Sequence, residues 1–287
     1  MKKTFALLFL LLYTHFFIAQ TKLAGIPIQL DLNGWQVMQD DFGNVLLGHA
    51  TTPGILVINE HAYTNIKDLK KEILKGTNEE SISISTDESS TKVENNIIYT
   101  TYSGTAEGQA IKADLCGEVS SSDYCRGITI MSLVALRNYN TQYAELIKKM
   151  LSSIEYIIPD NIAEWKNKLS GKQLMYRDSY STSTSGGEYY VSASSSTTIQ
   201  MNFCSNGHFS SNHRSYSSMG GTGLDGDVGS ENEQSEGEWL PYWSGHVHAI
   251  KLFFNDGSLQ YYPIEYENGY IYADEKKFTI GPSEICD

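Results

Sequence analysis

AIKLFFNDGSLQYYPIEYENGYIYADEKKFTI, residues 249–280, decides the fold class of the second half of the chain. Three apolar and aromatic runs, 249–255, 259–266 and 270–280, each have the length and composition of a strand. Between them lie Asp256-Gly257 and Asn268-Gly269, pairs that accept the positive φ of a two-residue hairpin turn. Hairpin follows hairpin with no helix between, which predicts an antiparallel up-and-down sheet. Upstream, Asn206-Gly207 joins run 198–204 to run 208–216 in the same way, and runs 172–178 and 237–243 complete the ladder. Two polar stretches interrupt it, the Ser/Thr-rich 179–197 and the Gly-rich acidic 217–236, and both read as long loops of the kind that carry binding surfaces. The expected architecture for 159–287 is an antiparallel β-barrel or curled sheet.

The first half is mixed. Short apolar runs split by turn formers, 26–32, 35–38, 45–47 and 55–58, predict a meander of strands. Ile66, Leu69, Ile73 and Leu74 then recur at helical spacing, with Asn65 placed to cap the start and Gly76 to end the last turn. Strands at 81–85, 96–103, 110–115 and 127–136 follow, then a second amphipathic helix over 140–153 and a closing strand at 154–158. Pro159-Asp160-Asn161 breaks the pattern, so we place a domain boundary near Pro159, giving domains at 20–158 and 159–287. A short helical stretch, 162–169, opens the second.

The element order of the first half resembles the α/β/α sandwich of the PsbP/DcrB-like proteins. Asn33-Gly34-Trp35, Pro53-Gly54 ahead of 55–58, Tyr102-Ser103-Gly104 with Gly108, Gly127, and Ser152-Ser153-Ile154-Glu155-Tyr156 carry the resemblance. It implies an α+β fold with a largely antiparallel sheet and an extracytoplasmic accessory role. The second half resembles the lipocalin-like small β-barrels, with Gly237-Glu238-Trp239 imitating their Gly-x-Trp signature at mid-domain instead of on the first strand.

Residues 1–19 read as a secretory signal peptide: Lys2 and Lys3 precede the apolar run 5–12, and Ala19 suits the position before a cut. A secreted or periplasmic location is therefore expected, with no transmembrane segment after signal removal. The formal net charge of -13, more acidic still without Lys2 and Lys3, disfavours nucleic acid as a partner. Four cysteines in an exported chain read as two disulfides, for which three connectivities exist. Pairing Cys116 with Cys125 and Cys204 with Cys286 keeps each bond inside one proposed domain.

Few motifs carry chemistry. Gly221-Thr222-Gly223-Leu224-Asp225-Gly226 matches GxGxxG but has no strand before it and no helix after it, so it reads as loop. Residues 220–225 also match the GGxGxD of calcium-binding repeats, which makes Asp225 and Asp227 candidate oxygen ligands, although a single copy favours a solvated acidic loop. His246 and His248 alternate along a strand and share one face, a geometry that can hold zinc with His208 or His213 as a third ligand. His49 and His61 have no telling partner. No GxSxG, HExxH or supported SxxK occurs, so no catalytic residue is assigned. Trp239, Tyr242 and Trp243 are the candidate ligand-binding aromatics, weighed against burial in a barrel core. These features lead us to expect a non-enzymatic binding or accessory protein for an unknown protein, glycan or small molecule, with no cofactor beyond a possible calcium or zinc. The alternatives are an extracytoplasmic hydrolase with a metal-assisted or inter-domain site, and a carrier of a small apolar ligand inside the barrel.

Overall fold

A computed structural model describes residues 20–160, 162–186, 189–221, 229–243 and 247–286, so the signal-peptide reading of 1–19 lies outside the described residues. In chain order the first unit contains β1 (Thr21–Lys22), β2 (Ile28–Leu30), β3 (Gln36–Asp41), β4 (Asn44–Gly48), β5 (Ile55–Glu60), α1 (Ile66–Lys75), β6 (Thr77–Asn78), β7 (Ile82–Ser85), β8 (Lys92–Glu94), β9 (Ile97–Ala106), β10 (Gln109–Val119), β11 (Gly127–Ala135), α2 (Gln142–Ser152) and β12 (Glu155–Tyr156). One antiparallel sheet runs β3-β4-β5-β11-β10-β9-β7-β6, with β8 beside β9. Alternate residues of β10 leave on opposite faces. Ile111, Ala113 and Leu115 join Leu69 and Ile73 of α1 in one core, while Cys116 joins Ile147, Met150 and Leu151 of α2 in another. The capping residues expected for α1 are in place: Asn65 Oδ1 accepts from the Lys67 and Asp68 N–H groups, and Gly76 ends the helix at φ 65.

Two expectations change here. The strand expected at 154–158 shrinks to Glu155–Tyr156, which pairs with β2 in a separate small sheet, β1-β2-β12. Pro159, with no N–H to donate, follows closely. Cys116 and Cys125 are free buried thiols, which corrects the disulfide expected between them. Cys116 faces Ile130 within the ladder, whereas the ladder closes at Val119 with Gly127. Cys125 lies beyond that closing pair, which is already three residues, roughly 10 Å, along the strand from Cys116. A disulfide needs a Cα separation of about 4.4–6.8 Å. Burial pushes both thiol pKa values up.

The second unit opens with α3 (Ile162–Leu169) and continues through β13 (Lys172–Gly186), β14 (Tyr189–Phe203), β15 (His208–Gly221), β16 (Gly229–Trp243), β17 (His248–Phe254), β18 (Leu259–Glu267), β19 (Tyr270–Ala273) and β20 (Lys276–Pro282). These eight strands close into an antiparallel barrel as β20 pairs back onto β13. Leu174, Phe203, Phe209, Trp239, Ile250 and Leu252 fill it, and Trp165 and Leu169 of α3 pack against the same core. The run 270–280, read as one strand, is two. Asp274 and Glu275 both take positive φ, 50° and 61°, and turn the chain without glycine. A larger difference concerns the two stretches read as long loops: residues 179–186, 189–197, 217–221 and 229–236 are strand. The register of β13 with β14 continues to Gly186 opposite Tyr189, and that of β14 with β15 to Val191 opposite Gly221. β20 meets β13 only at 172–175 and β17 meets β16 only at 237–243. One side of the barrel is therefore a tall four-stranded wall.

The units meet through the outer face of β16–β18. Lys251, 1% exposed, places Nζ 2.7 and 2.9 Å from the two Glu60 oxygens and 2.8 Å from the Tyr124 carbonyl. The Tyr261 hydroxyl donates to the same carboxylate, and Tyr242 donates to the Ala24 carbonyl at 2.7 Å. Arg126 lies over the Phe253 ring and pairs with Glu238 at 2.5 Å. Burial, then the Glu60 charge, drives the Tyr261 pKa far up. The tyrosine stays a neutral donor.

His61, next to Glu60, is buried with Nε2 3.0 Å from the Glu118 carbonyl, and burial lowers its pKa from 6.5 to about 4. The unfolded chain thus binds a proton below pH 6.5 that the folded protein refuses until about pH 4. Linkage then makes stability fall with pH across that window, by about 2 kcal/mol between pH 7 and pH 5. Urea unfolding at the two pH values in wild type and His61→Gln measures it, and the variant should lose that part of the slope.

Candidate functional site

Residues directly opposite in neighbouring strands share a face. On the outer face of the tall wall the registers align Gln173, Asn202, Ser210 and Glu236 in one row, then Met175, Gln200, Asn212 and Gln234, then Arg177, Thr198, Arg214 and Asn232. Higher rows are mostly hydroxyl, Ser179-Ser196-Tyr216-Ser230 and Ser181-Ser194-Ser218, with the Ser194 and Ser218 hydroxyls 2.8 Å apart. The strand order turns an unremarkable Ser/Asn/Gln composition into a polar array.

The lower rows floor a groove of about 760 Å³. One wall is the β17–β18 turn, Phe254 to Asp256, and the other is Ile285 in the C-terminal tail, which the Cys204–Cys286 disulfide ties to the barrel. Asn202, 3% exposed, organises the base: its Oδ1 accepts from Gln173 and Ser283, both at 3.0 Å, and its Nδ2 donates to Ser210 at 3.3 Å. Arg214 Nε donates to Asn212 Oδ1 at 3.2 Å, and Asn255 donates to Glu236 at 3.3 Å. Among the described residues the Gln200 and Gln234 amides make no side-chain hydrogen bond. Asp256 accepts from the N–H and hydroxyl of Ser258, which holds its pKa below the usual carboxylate range.

The predicted aromatics sit elsewhere. Trp239 is 1% exposed in the barrel core, edge-on to Phe203, with Nε1 donating to the Cys204 carbonyl at 3.0 Å. Tyr242 is taken up by the contact between units, and Trp243 lies half-buried against His248, ring centroids 4.2 Å apart. No open aromatic face results, because alternate residues of β16 point into the barrel and into the other unit. His248 is further enclosed by Trp165, and burial lowers its pKa. Its proposed co-ligands lie far off: His248 pairs with Trp243 on β16, His208 with Glu238 and His213 with Glu233. Ten residues of strand, roughly 33 Å, separate the outer two of those rungs. His246, Asp225 and Asp227 lie outside the described residues. Among the described residues no three His, Cys, Asp or Glu side chains are grouped to hold a metal. An apolar cavity inside the barrel, lined by Leu174, Met201, Ile250 and Phe278, measures about 60 Å³, well under the roughly 300 Å³ at which ligand pockets begin.

Gln200, Asn202, Asn212 and Arg214 fall in runs read as strands, and Gln200 and Asn202 alternate there with Ile199, Met201 and Phe203. The amide rows escaped sequence reading because Gln234 and Glu236 lie in a stretch read as loop and the register that brings the four strands side by side is not written locally. No family model matches the chain, and no curated protein matches it in sequence.

Proposed function

We propose that the protein is an extracytoplasmic, non-enzymatic binding protein whose outer-face groove takes a short hydroxyl-rich ligand, an oligosaccharide. The observation that carries this is the groove floor, where four side-chain amides, Gln200, Asn202, Asn212 and Gln234, stand in adjacent rows. Among the described residues Gln200 and Gln234 each offer an unengaged donor pair and acceptor, and Asn212 offers its amide donors, while buried Asn202 holds the base in place; neighbouring sugar hydroxyls need donors and acceptors at once. Arg214 and Glu236 add charge-assisted bonds, and Phe254 offers an apolar surface to a ring face. The volume falls within the range of ligand pockets. Of the two groove carboxylates, Asp256 is bonded by Ser258 and Glu236 by Asn255, an arrangement that supports binding over glycoside cleavage, which needs a carboxylic acid whose pKa is raised. The leader reading of residues 1–19 supports export, and the packing of α1 and α2 on opposite faces of the first sheet supports the sandwich reading of 20–158 and its accessory role.

A glycan array followed by calorimetry tests this. Gln234→Ala and Asn212→Ala should each weaken the selected oligosaccharide roughly tenfold, about 1–1.5 kcal/mol per lost hydrogen bond. The sugar should leave the titration uncleaved. Affinity unchanged in both variants would sink the reading.

A further inference from the structure

We propose that the ligand of the outer-face groove is an acidic oligosaccharide. Its carboxylate or sulfate group sits between Arg177 and Arg214, one row above the amides, and the proposal rests on the oligosaccharide reading of that groove. The registers set Arg177, Thr198 and Arg214 opposite one another on the outer face of β13, β14 and β15. Neighbouring strands lie about 4.8 Å apart, so the two arginine backbones stand roughly 10 Å apart with Thr198 between them. That span lets two guanidinium groups reach one anion from either side, each with the planar fork that matches a pair of carboxylate or sulfate oxygens. Thr198 adds a hydroxyl beneath it. Arg214 also lines the groove, which puts the anion seat at the groove's upper end, about 7 Å along the strands from Gln200, Asn212 and Gln234.

Both arginines are exposed, and among the described residues neither forms an ion pair. Arg177 makes no side-chain hydrogen bond there either, and Arg214 commits only Nε, to Asn212 Oδ1. In a chain with 34 acidic residues against 21 basic ones, carboxylates are not scarce. Those of the same strands are directed elsewhere. By the same registers Asp178, Glu231 and Glu233 lie on the opposite, inner face, where Glu233 comes within 3.9 Å of His213 Nδ1. On the outer face from the Gln173 row upward, Glu236 is the only carboxylate among the described residues; it lies two rows below the arginines and accepts from Asn255. Like charges in one row repel, and a neutral sugar leaves that repulsion in place. An acidic group seated over Thr198 removes it. The net charge of -13 repels a long polyanion at a distance, which favours a short chain carrying few charges.

Calorimetry on the full chain tests this, with short oligogalacturonates, sulfated galactan oligosaccharides, and the carboxyl-reduced or desulfated form of each as probes. The expected result is that one acidic series binds roughly tenfold tighter than its own neutral form, and the series that does so identifies the seated group as carboxylate or sulfate. Arg177→Gln should remove that preference, weakening the acidic sugar roughly tenfold for the lost charge-assisted bond. The neutral form should bind this variant as it binds wild type, which also shows that the variant is folded. Arg177→Glu should weaken the acidic sugar further, whereas Gln234→Ala should weaken both forms alike. Acidic and neutral forms that bind equally, while Gln234→Ala still weakens them, overturn the anion seat and leave the oligosaccharide reading standing. An acidic preference that survives both Arg177 variants overturns the seat as well. Binding of no probe at all overturns both readings together.

Discussion

Lys251→Ala should cost about 3–5 kcal/mol of folding stability, because it leaves the Glu60 carboxylate buried without its counter-charge. Both partners are enclosed, with side chains 1% and 0% exposed. Coulomb attraction between two such charges is large, but so is the cost of taking them out of water, and the pair is kept in balance by the extra bonds from Tyr124 and Tyr261. Removing one ion upsets that balance; replacing both need not. Lys251→Met combined with Glu60→Gln should recover most of the loss, since Gln still accepts from Tyr261 and Met fills the lysine's volume. Urea unfolding of the single and double variants measures both effects. A single variant within about 1 kcal/mol of wild type would show that water reaches Glu60.

Cutting the Cys204–Cys286 bond by Cys286→Ser should cost about 4.5 kcal/mol, from the chain-entropy estimate for a closed loop of this size. The two cysteines are 82 residues apart, so the bond restricts most of the barrel sequence in the unfolded state. It also fixes Ile285 as a wall of the groove. Thermal unfolding with and without reductant reads the first effect, and oligosaccharide affinity of Cys286→Ser reads the second. The free thiols Cys116 and Cys125, both buried, should contribute nothing to the reductant-dependent shift.

What could be read from sequence follows from how sharply each residue type limits the backbone. Asn206-Gly207, Asp256-Gly257 and Asn268-Gly269 announce hairpins because few residues accept their φ; Gly207, Gly257 and Asn268 all take it. Asp274-Glu275 makes an equivalent turn from residues that seldom do, and so stays hidden. Both main helices are legible from their apolar spacing, and α1 also from its caps, Asn65 and Gly76. The upper wall is not, because Ser and Thr on both faces give no apolar alternation, and its register is imposed by the barrel below. Lys251 lies among the apolar residues Ile250 to Phe254, and nothing near it in sequence marks its partner Glu60, 191 residues away. The groove was invisible because its floor is assembled by register across four strands and its walls come from the β17–β18 turn and the C-terminal tail, distant in sequence.

The seam where β13 meets β20 has a consequence for the time course of folding. Leu174 pairs with Ile280, about a hundred residues further on, so the barrel cannot be completed until the end of the chain is available. Each hairpin from β14 onward can form locally and early, but closure must await a contact of high sequence separation, whose loop entropy slows the rate-limiting step into the millisecond-to-second range. During that interval the inner surfaces of Phe203, Phe209 and Trp239 stand open to water. A chain emerging N-terminus first carries that exposed interior until its last strand docks.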